Sequence, residues 1–326
     1  MKDAVLDAKQ ARDDQAGAPP PGGTTTVAPA PDAAPAKRGT DWWGEIKGIF
    51  WLIVIVLGFH SFIAKPFYIP SESMLPGLRI GDRLVVSKFA YGWSFVSPTI
   101  PNPVAIFDGL VLHQPEESWS VGIPFIHGRL FGSLPTRGDV VIVTPPGTRN
   151  DYIKRVIGLP GDTIAVKGGV VYLNGVAIPR GPLHYTDIPV DTNSPCSTLE
   201  YPGARIPAAN GGEICHLPTI TETLPNGRRY DTIDLEPNSE GDNYPPRAIP
   251  ANHVFLMGDN RDRSADSRFR LDQLGLGGPV PYENLGGRAE FITFSLDGDA
   301  TLNPLTWWNS LRAGRAGTSL HPAGTK

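Results

Sequence analysis

Two serines, Ser71 and Ser73, lie in the short segment Ile69-Pro70-Ser71-Glu72-Ser73-Met74-Leu75-Pro76, bracketed by prolines. In an extended segment residues two apart share one side of the chain. One hydroxyl can then attack a carbonyl while the other donates to the oxyanion that forms. The attacking hydroxyl needs a base. The seven histidines, His60, His113, His127, His184, His216, His253 and His321, form no H-E-x-x-H or other tight ligand pair. A zinc-hydrolase site therefore has no support, and each reads as a core or surface histidine. The candidate base is Lys154, in the apolar strand pattern Asp151-Tyr152-Ile153-Lys154-Arg155-Val156-Ile157-Gly158. In such a strand Tyr152, Lys154 and Val156 face one way, and Ile153, Arg155 and Ile157 the other. To accept a proton near neutrality, a lysine must drop several units from its ordinary value of about 10.4, which a desolvated face achieves. Arginine cannot make that shift. Taken alone, S-x-S is a common string that fits a plain turn, and an exposed strand lysine is ordinary.

The run Asp259-Asn260-Arg261-Asp262-Arg263-Ser264-Ala265-Asp266 invites a calcium reading but fails on detail. Started at Asp259, it has Arg261 at the third position; started at Asp262, it has Ser267 in place of the turn Gly and Gln273 in place of the bidentate Glu. Its arginines, with Arg268, point instead to internal ion pairs with Asp259, Asp262 and Asp266. No metal site is expected. A formal charge of −4 and a pI near 6.0 argue against a nucleic-acid partner, since no basic excess exists to neutralise phosphates.

Several elements must position these residues. From Gln15 to Ala36 almost no large apolar side chain occurs, and the segment is expected to be a disordered tail. Lys37, Arg38, Trp42, Trp43 and Lys47 lead into Gly48 to Ala64, a run without formal charge that ends at Lys65. Seventeen helical residues rise about 26 Å, enough for a short membrane span with snorkelling lysines. A buried soluble helix is the alternative. A cleaved secretory signal fits poorly, because a long segment precedes the apolar run and Phe62-Ile63-Ala64 lacks the small-x-small pattern. Charge does not decide topology: Lys37, Arg38 and Lys47 on one side compete with Lys65, Arg79, Arg83 and Lys88 on the other.

Beyond Lys65 the chain reads as strands, punctuated by the 37 Gly and 34 Pro that disfavour long helices. Gly81-Asp82, Gly138-Asp139 and Gly161-Asp162 each feed a β-branched run, and Asn174-Gly175 between Val170–Leu173 and Val176–Ile178 predicts a type I′ hairpin. Stretches 92–135 and about 180–250 interrupt this pattern as insertions. The second holds Cys196 and Cys215, which could pair or remain buried thiols; a cross-link there would be worth up to about 3 kcal/mol by the loop-entropy argument.

Four blocks in order carry a resemblance: Ser71-Glu72-Ser73-Met74, Arg137-Gly138-Asp139-Val140, Tyr152 to Arg155 with Gly158-Leu159-Pro160-Gly161-Asp162, and Gly258 to Asp262 with Ser264 to Arg268. Asp82 to Gly92 and Gly287 to Leu296 add to it, so that about Phe67 to Leu296 resembles bacterial type I signal peptidases. The resemblance implies a mainly β fold: an antiparallel β-sheet catalytic core with an inserted β-rich accessory lobe, preceded by one transmembrane helix. The expected division is a tail and membrane-proximal segment (1–47), transmembrane helix (48–64), catalytic core (65–165 and 251–297, with insertion 92–135), accessory lobe (166–250) and C-terminal tail (298–326). It further implies Ser73 as nucleophile and Lys154 as general base, with Ser71 donating to the oxyanion beside the Ser73 amide and Ser264 orienting the lysine. Arg155, Asp259, Asp266 and Arg268 would form supporting ion pairs. Phe67, Ile69, Met74, Leu78, Tyr152 and Ile153 would line two shallow apolar pockets suited to small residues such as Ala. One departure is Gly77, where many members carry Thr.

On this reading the chain is a peptidase in the bacterial cytoplasmic membrane with its catalytic region outside. It would cleave signal peptides from secretory preproteins through an acyl-enzyme, without a cofactor, and an outer location would favour a Cys196–Cys215 disulfide. The alternatives are a Ser-Lys peptidase dedicated to one partner and a non-catalytic, membrane-tethered β domain.

Overall fold

The computed structural model describes residues 41–97, 100–101, 120–121, 128–148, 150–209, 211–299 and 307–321. The expected disordered tail and most of the 92–135 insertion, with His113 and His127, lie outside the described residues. Residues 1–46 and 47–326 form separate compact units, and of the first only 41–46 are described.

The apolar run lies within a helix, α1 (Trp42–Phe62). Asp41 Oδ1 accepts from the Gly44 amide at 3.2 Å, as an N-cap does. The helix ends before Pro66, whose ring cannot be accommodated in a helix interior. It thus starts earlier than the expected 48–64, and Ala64 belongs to the following strand. Its 21 residues rise about 32 Å. Ile49, Trp51, Leu52, Ile53 and Ile55 are each more than half exposed. A soluble helix hides one apolar stripe; this one hides none, which counts against the buried-helix alternative.

Among the described residues seventeen strands follow. The first six are β1 (Ala64–Tyr68), β2 (Asp82–Ser87), β3 (Ile100–Pro101), β4 (Ser120–Val121), β5 (Val140–Val143) and β6 (Tyr152–Gly158). Next come β7 (Thr163–Lys167), β8 (Val170–Leu173), β9 (Val176–Ala177), β10 (Arg180–Pro189), β11 (Arg205–Pro207), β12 (Glu213–Thr223) and β13 (Arg229–Thr232). The last are β14 (Tyr244–Ala248), β15 (His253–Met257), β16 (Val280–Pro281) and β17 (Leu285–Ser295). The fold is mainly β, and all three Gly-Asp turns feed strands.

The largest sheet has seven antiparallel strands in the order β1-β2-β17-β5-β6-β15-β16 and lies within the expected core, 65–165 and 251–297. Strand alternation sorts its side chains into two cores. Val140 and Ile142 join Ile69, Met74, Leu78, Leu84, Val86, Ile153, Ala289 and Ile292 on one face. Val141 and Val143 join Val156, Val254, Leu256 and Leu285 on the other. Because β5 is buried on both faces, it reads as an unbroken VVIV.

Two smaller sheets lie largely in the segment expected as the accessory lobe: β14-β7-β8-β9, and β10-β12-β11 with β13 also paired to β12. The boundary expected between 165 and 166 falls inside β7, because that strand pairs with β8 and β14. Asn174 and Gly175 have φ of 53° and 81°, as a type I′ turn requires. Cys196 and Cys215 form a disulfide, packed with Leu75, Ile188, Tyr201, Leu217 and Ile233.

The expected C-terminal tail is in part a strap. Leu311 bridges to Leu296 and Ser319 to Phe291. Arg312 donates to both carboxylate oxygens of Asp191 at 2.8 Å, to Ile80 O at 2.6 Å and to Ser295 Oγ at 3.0 Å. Arg315 pairs with the buried Asp82 and donates to Gly77 O at 3.0 Å. These polar contacts have no periodic signature, so the segment reads as a tail in sequence. Arg312→Ala is expected to lower stability by about 2 kcal/mol, since it strips several charge-assisted hydrogen bonds. A denaturant midpoint equal to that of the wild type would refute that role.

Candidate active site

Ser71 and Ser73 lie in the turn between β1 and β2, and the neighbouring backbone fixes that turn. Ile69 N–H donates to Asp82 O at 3.0 Å, Gly81 N–H to Ile69 O at 3.1 Å and Leu75 N–H to Glu72 O at 3.0 Å. The peptide between Leu75 and Pro76 is cis. Lys154 is held on β6, opposite Val141 of β5. Its Nζ lies 3.0 Å from Ser73 Oγ, and Ser71 Oγ lies 3.3 Å from Ser73 Oγ. Both Ser73 and Lys154 are buried. Burial lowers the Lys154 ammonium to about 8, although the Asp266 and Asp259 carboxylates pull it back up.

The loop after β15 closes the site. Gly258 is needed there for space: a Cβ would come within 2.2 Å of Ser264 Oγ and 2.5 Å of Ser73 O. Ser264 is buried, but its hydroxyl donates to Asp266 Oδ2 at 2.9 Å rather than making the expected bond to the lysine. A hydroxyl has one proton, and the buried carboxylate takes it; the lone pairs of Ser264 remain free to accept. Burial works against the Asp266 carboxylate, yet Arg268 and the amides of Gly258 and Arg268 hold it below the ordinary range. Arg268 donates through Nε and Nη2 to the two Asp266 oxygens, each at 2.9 Å.

Arg155 is the neighbour of Lys154 on β6, opposite Val140 of β5 where Lys154 is opposite Val141. It grips Asp259 through Nε at 2.7 Å and Nη2 at 2.6 Å, donates to Gly138 O at 2.9 Å and stacks over Tyr230. The remaining arginines of the loop depart from the expected internal pairing. Arg261 pairs with buried Glu222 of β12, and Arg263 with Glu236. Asp262 accepts the Leu235 and Glu236 amides at 2.6 and 3.0 Å. The loop is thus tied outward to the lobe, where carboxylates many residues away present better geometry than immediate neighbours. Asp234, Asp242 and Asp262 bring carboxylate oxygens within 4.8 Å of one another, with Arg180 bonded to Asp234 at 3.5 Å.

A cleft of about 1000 Å³ opens over the two serines and the lysine. Phe67, Tyr152 and Ile153 line it, whereas Ile69, Met74 and Leu78 do not; these three are almost wholly buried in the core beneath. The turn directs its apolar side chains inward because the adjacent sheet face offers them dry surface. Tyr68, Arg83, Arg263, Ala265 and Leu274 also line the cleft. The sequence pattern did not single out Asn260 or Tyr201. Asn260 N–H donates to Ser73 O at 3.1 Å and its Nδ2 to Glu72 O at 3.2 Å. Asn260 stood within a motif block that assigned it no role, and Tyr201 in an insertion without pattern.

A serine, a lysine of lowered basicity at hydrogen-bonding distance and a second hydroxyl beside them are the parts of a serine hydrolase with lysine in the place of histidine. The sequence model of the family described as signal peptidase, peptidase S26, matches residues 42–294, and the chain belongs to that family. The Signal peptidase I of Rickettsia typhi is 33% identical over 273 residues, covering 82% of this chain and 83% of that protein. That of Rickettsia akari is 32% identical over 277 residues, covering 83% and 82%. A solved signal peptidase I from Enterococcus faecalis V583 has 20% identity and a TM-score of 0.24 over 48% of this chain and 97% of its own, too low a score to bear on the fold. By family, the chain is a serine endopeptidase of the signal-peptidase type.

Proposed function

We propose that this chain removes signal peptides from secretory preproteins by a Ser-Lys mechanism, while anchored by α1 in the bacterial cytoplasmic membrane with its β domain outside. The carrying observation is the buried Lys154 Nζ at 3.0 Å from Ser73 Oγ. Neutral Lys154 takes the Ser73 proton as Oγ attacks the scissile carbonyl. The Ser71 hydroxyl and the Ser73 amide stabilise the oxyanion, and Ser264, whose proton goes to Asp266 at 2.9 Å, would orient the lysine only by turning a lone pair to it during the reaction. The lysine returns the proton to the leaving amine, which departs as the new N-terminus. Water, deprotonated by the same lysine, then hydrolyses the acyl-enzyme. The sequence draws on no metal or cofactor.

The cleft wall of Phe67, Tyr152 and Ile153 supports cleavage after small residues of the Ala-x-Ala type. Ile69, Met74 and Leu78 act from below as the floor that sets its depth. The exposed apolar surface of α1 supports a bilayer as its surroundings. Because β1 starts two residues after the helix ends, the cleft stays close to the membrane surface, where a substrate's cleavage site emerges from its own apolar segment. The Cys196–Cys215 disulfide supports an oxidising, outer location.

Full-length protein in liposomes, given a preprotein whose signal ends in Ala-x-Ala, is expected to cut once after the second Ala. Replacing that Ala with Phe should block the cut. Binding of the preprotein without cleavage would instead favour the tethered binding domain, and cleavage indifferent to Phe would sink the proposed specificity.

A further inference from the structure

The residue between the two site serines is itself held. Glu72 stands between Ser71 and Ser73, and its Oε2 accepts from the Tyr201 hydroxyl at 2.6 Å. Tyr201 belongs to the accessory lobe, in the loop closed by the Cys196–Cys215 disulfide, and its ring is 2% exposed. Its oxygen accepts from Asn260 Nδ2 at 3.0 Å, and that same amide reaches Glu72 O at 3.2 Å. The Asn260 backbone N–H then holds Ser73 O at 3.1 Å. Three points of the Ser-Glu-Ser segment are therefore fixed by two residues from different parts of the chain: the side chain of Glu72, its carbonyl, and the carbonyl of Ser73. The ring of Tyr201 packs with Leu75, Cys196, Cys215 and Ile233, so the hydroxyl cannot swing away without disturbing an apolar cluster.

We infer that Tyr201 is a positioning residue for the nucleophile, acting through Glu72: the accessory lobe uses it to set the rotation of the segment that aims Ser73 Oγ at Lys154 Nζ. The inference rests on the Ser73 and Lys154 reading above. Release of the Glu72 carboxylate leaves the segment held only at its carbonyls, and Ser71 and Ser73 can then turn together. A misplacement of about 1 Å at a reacting group costs on the order of 100-fold in rate. A partial release, with Asn260 still in place, should cost less.

Tyr201→Phe removes only the hydroxyl and keeps the ring in its cluster. It is expected to lower kcat on a preprotein by about tenfold, with KM within about twofold and the thermal midpoint within about 3 °C of wild type. Glu72→Ala should give the same loss, and the double variant no further loss, because the two residues act as one link. Glu72→Gln keeps an acceptor for the hydroxyl and should retain kcat within about twofold. A Tyr201→Phe enzyme with wild-type kcat, or single losses that multiply in the double variant, would overturn the inference. Ser73→Ala runs beside them: if it cleaves, the Ser73 reading has failed; if it is dead while Tyr201→Phe is fully active, only the role of Tyr201 has.

Discussion

Lys154→Arg is expected to reduce cleavage by at least about 10⁴-fold, and Ser73→Ala by as much, since loss of either member of a nucleophile–base unit removes nearly all of its catalysis. Arginine keeps the charge and the reach of lysine but stays protonated at any workable pH. The loss therefore isolates proton acceptance from electrostatics. In the wild type, Lys154 is brought to about 8 by burial, so only about one tenth of molecules carry the free amine at pH 7. The rate kcat/KM should rise about tenfold per pH unit up to about pH 8 and then level off. A profile flat from pH 6 to 9 would remove Lys154 from the role of base.

On the proposed mechanism, the same burial sets catalysis against stability. The native state holds the Lys154 proton less tightly than the unfolded chain does, so between about 8 and the ordinary 10.5 the unfolded state binds more protons. Stability therefore rises with pH through that window, and below it the lysine costs the fold up to about 3 kcal/mol. Lys154→Met should be catalytically dead yet more stable than wild type at pH 7, by that amount less the hydrogen bond to Ser73. A lower melting temperature for this variant would mean that the amine is better solvated or paired than its surroundings imply.

Much of the fold was legible because its determinants are local. Asn174-Gly175 announces its hairpin through the positive φ of both positions, and the Gly-Asp turns announce β2, β5 and β7. The alternation of β6 placed Lys154 and Arg155 on opposite faces before any coordinate did. Features that rest on distant partners were not legible. Arg261 finds Glu222 across 39 residues, and Arg312 finds Asp191 across 121, where nearer carboxylates offered equal charge but not equal geometry. Which of two adjacent polar groups Ser264 would serve was likewise a matter of packing. The resemblance sets Ile69, Met74 and Leu78 along the cleft, but a match of motif positions does not separate a wall from the floor under it.

Asp259→Ala is expected to destabilise the protein by about 3–5 kcal/mol, because it strands a buried guanidinium rather than merely deleting a contact. Arg155 is 8% exposed at its side chain and Asp259 2%, so neither has water to fall back on. The Gly138 carbonyl and the face of Tyr230 would remain, and neither neutralises a charge. Arg155→Met with Asp259→Leu removes both charges and should cost less than the single change, the reverse of what additive contacts would produce. Activity offers a second and independent readout. The Asp259 carboxylate is one of two that raise Lys154, so its removal, with Arg155 left unpaired nearby, should move the acid limb of the pH–rate profile to lower pH. Asp259→Asn, which keeps the shape of the side chain, should show that displacement at a temperature where the variant is still folded. A limb that stays near pH 8 while stability falls would mean that the pair supports the loop but does not tune the lysine.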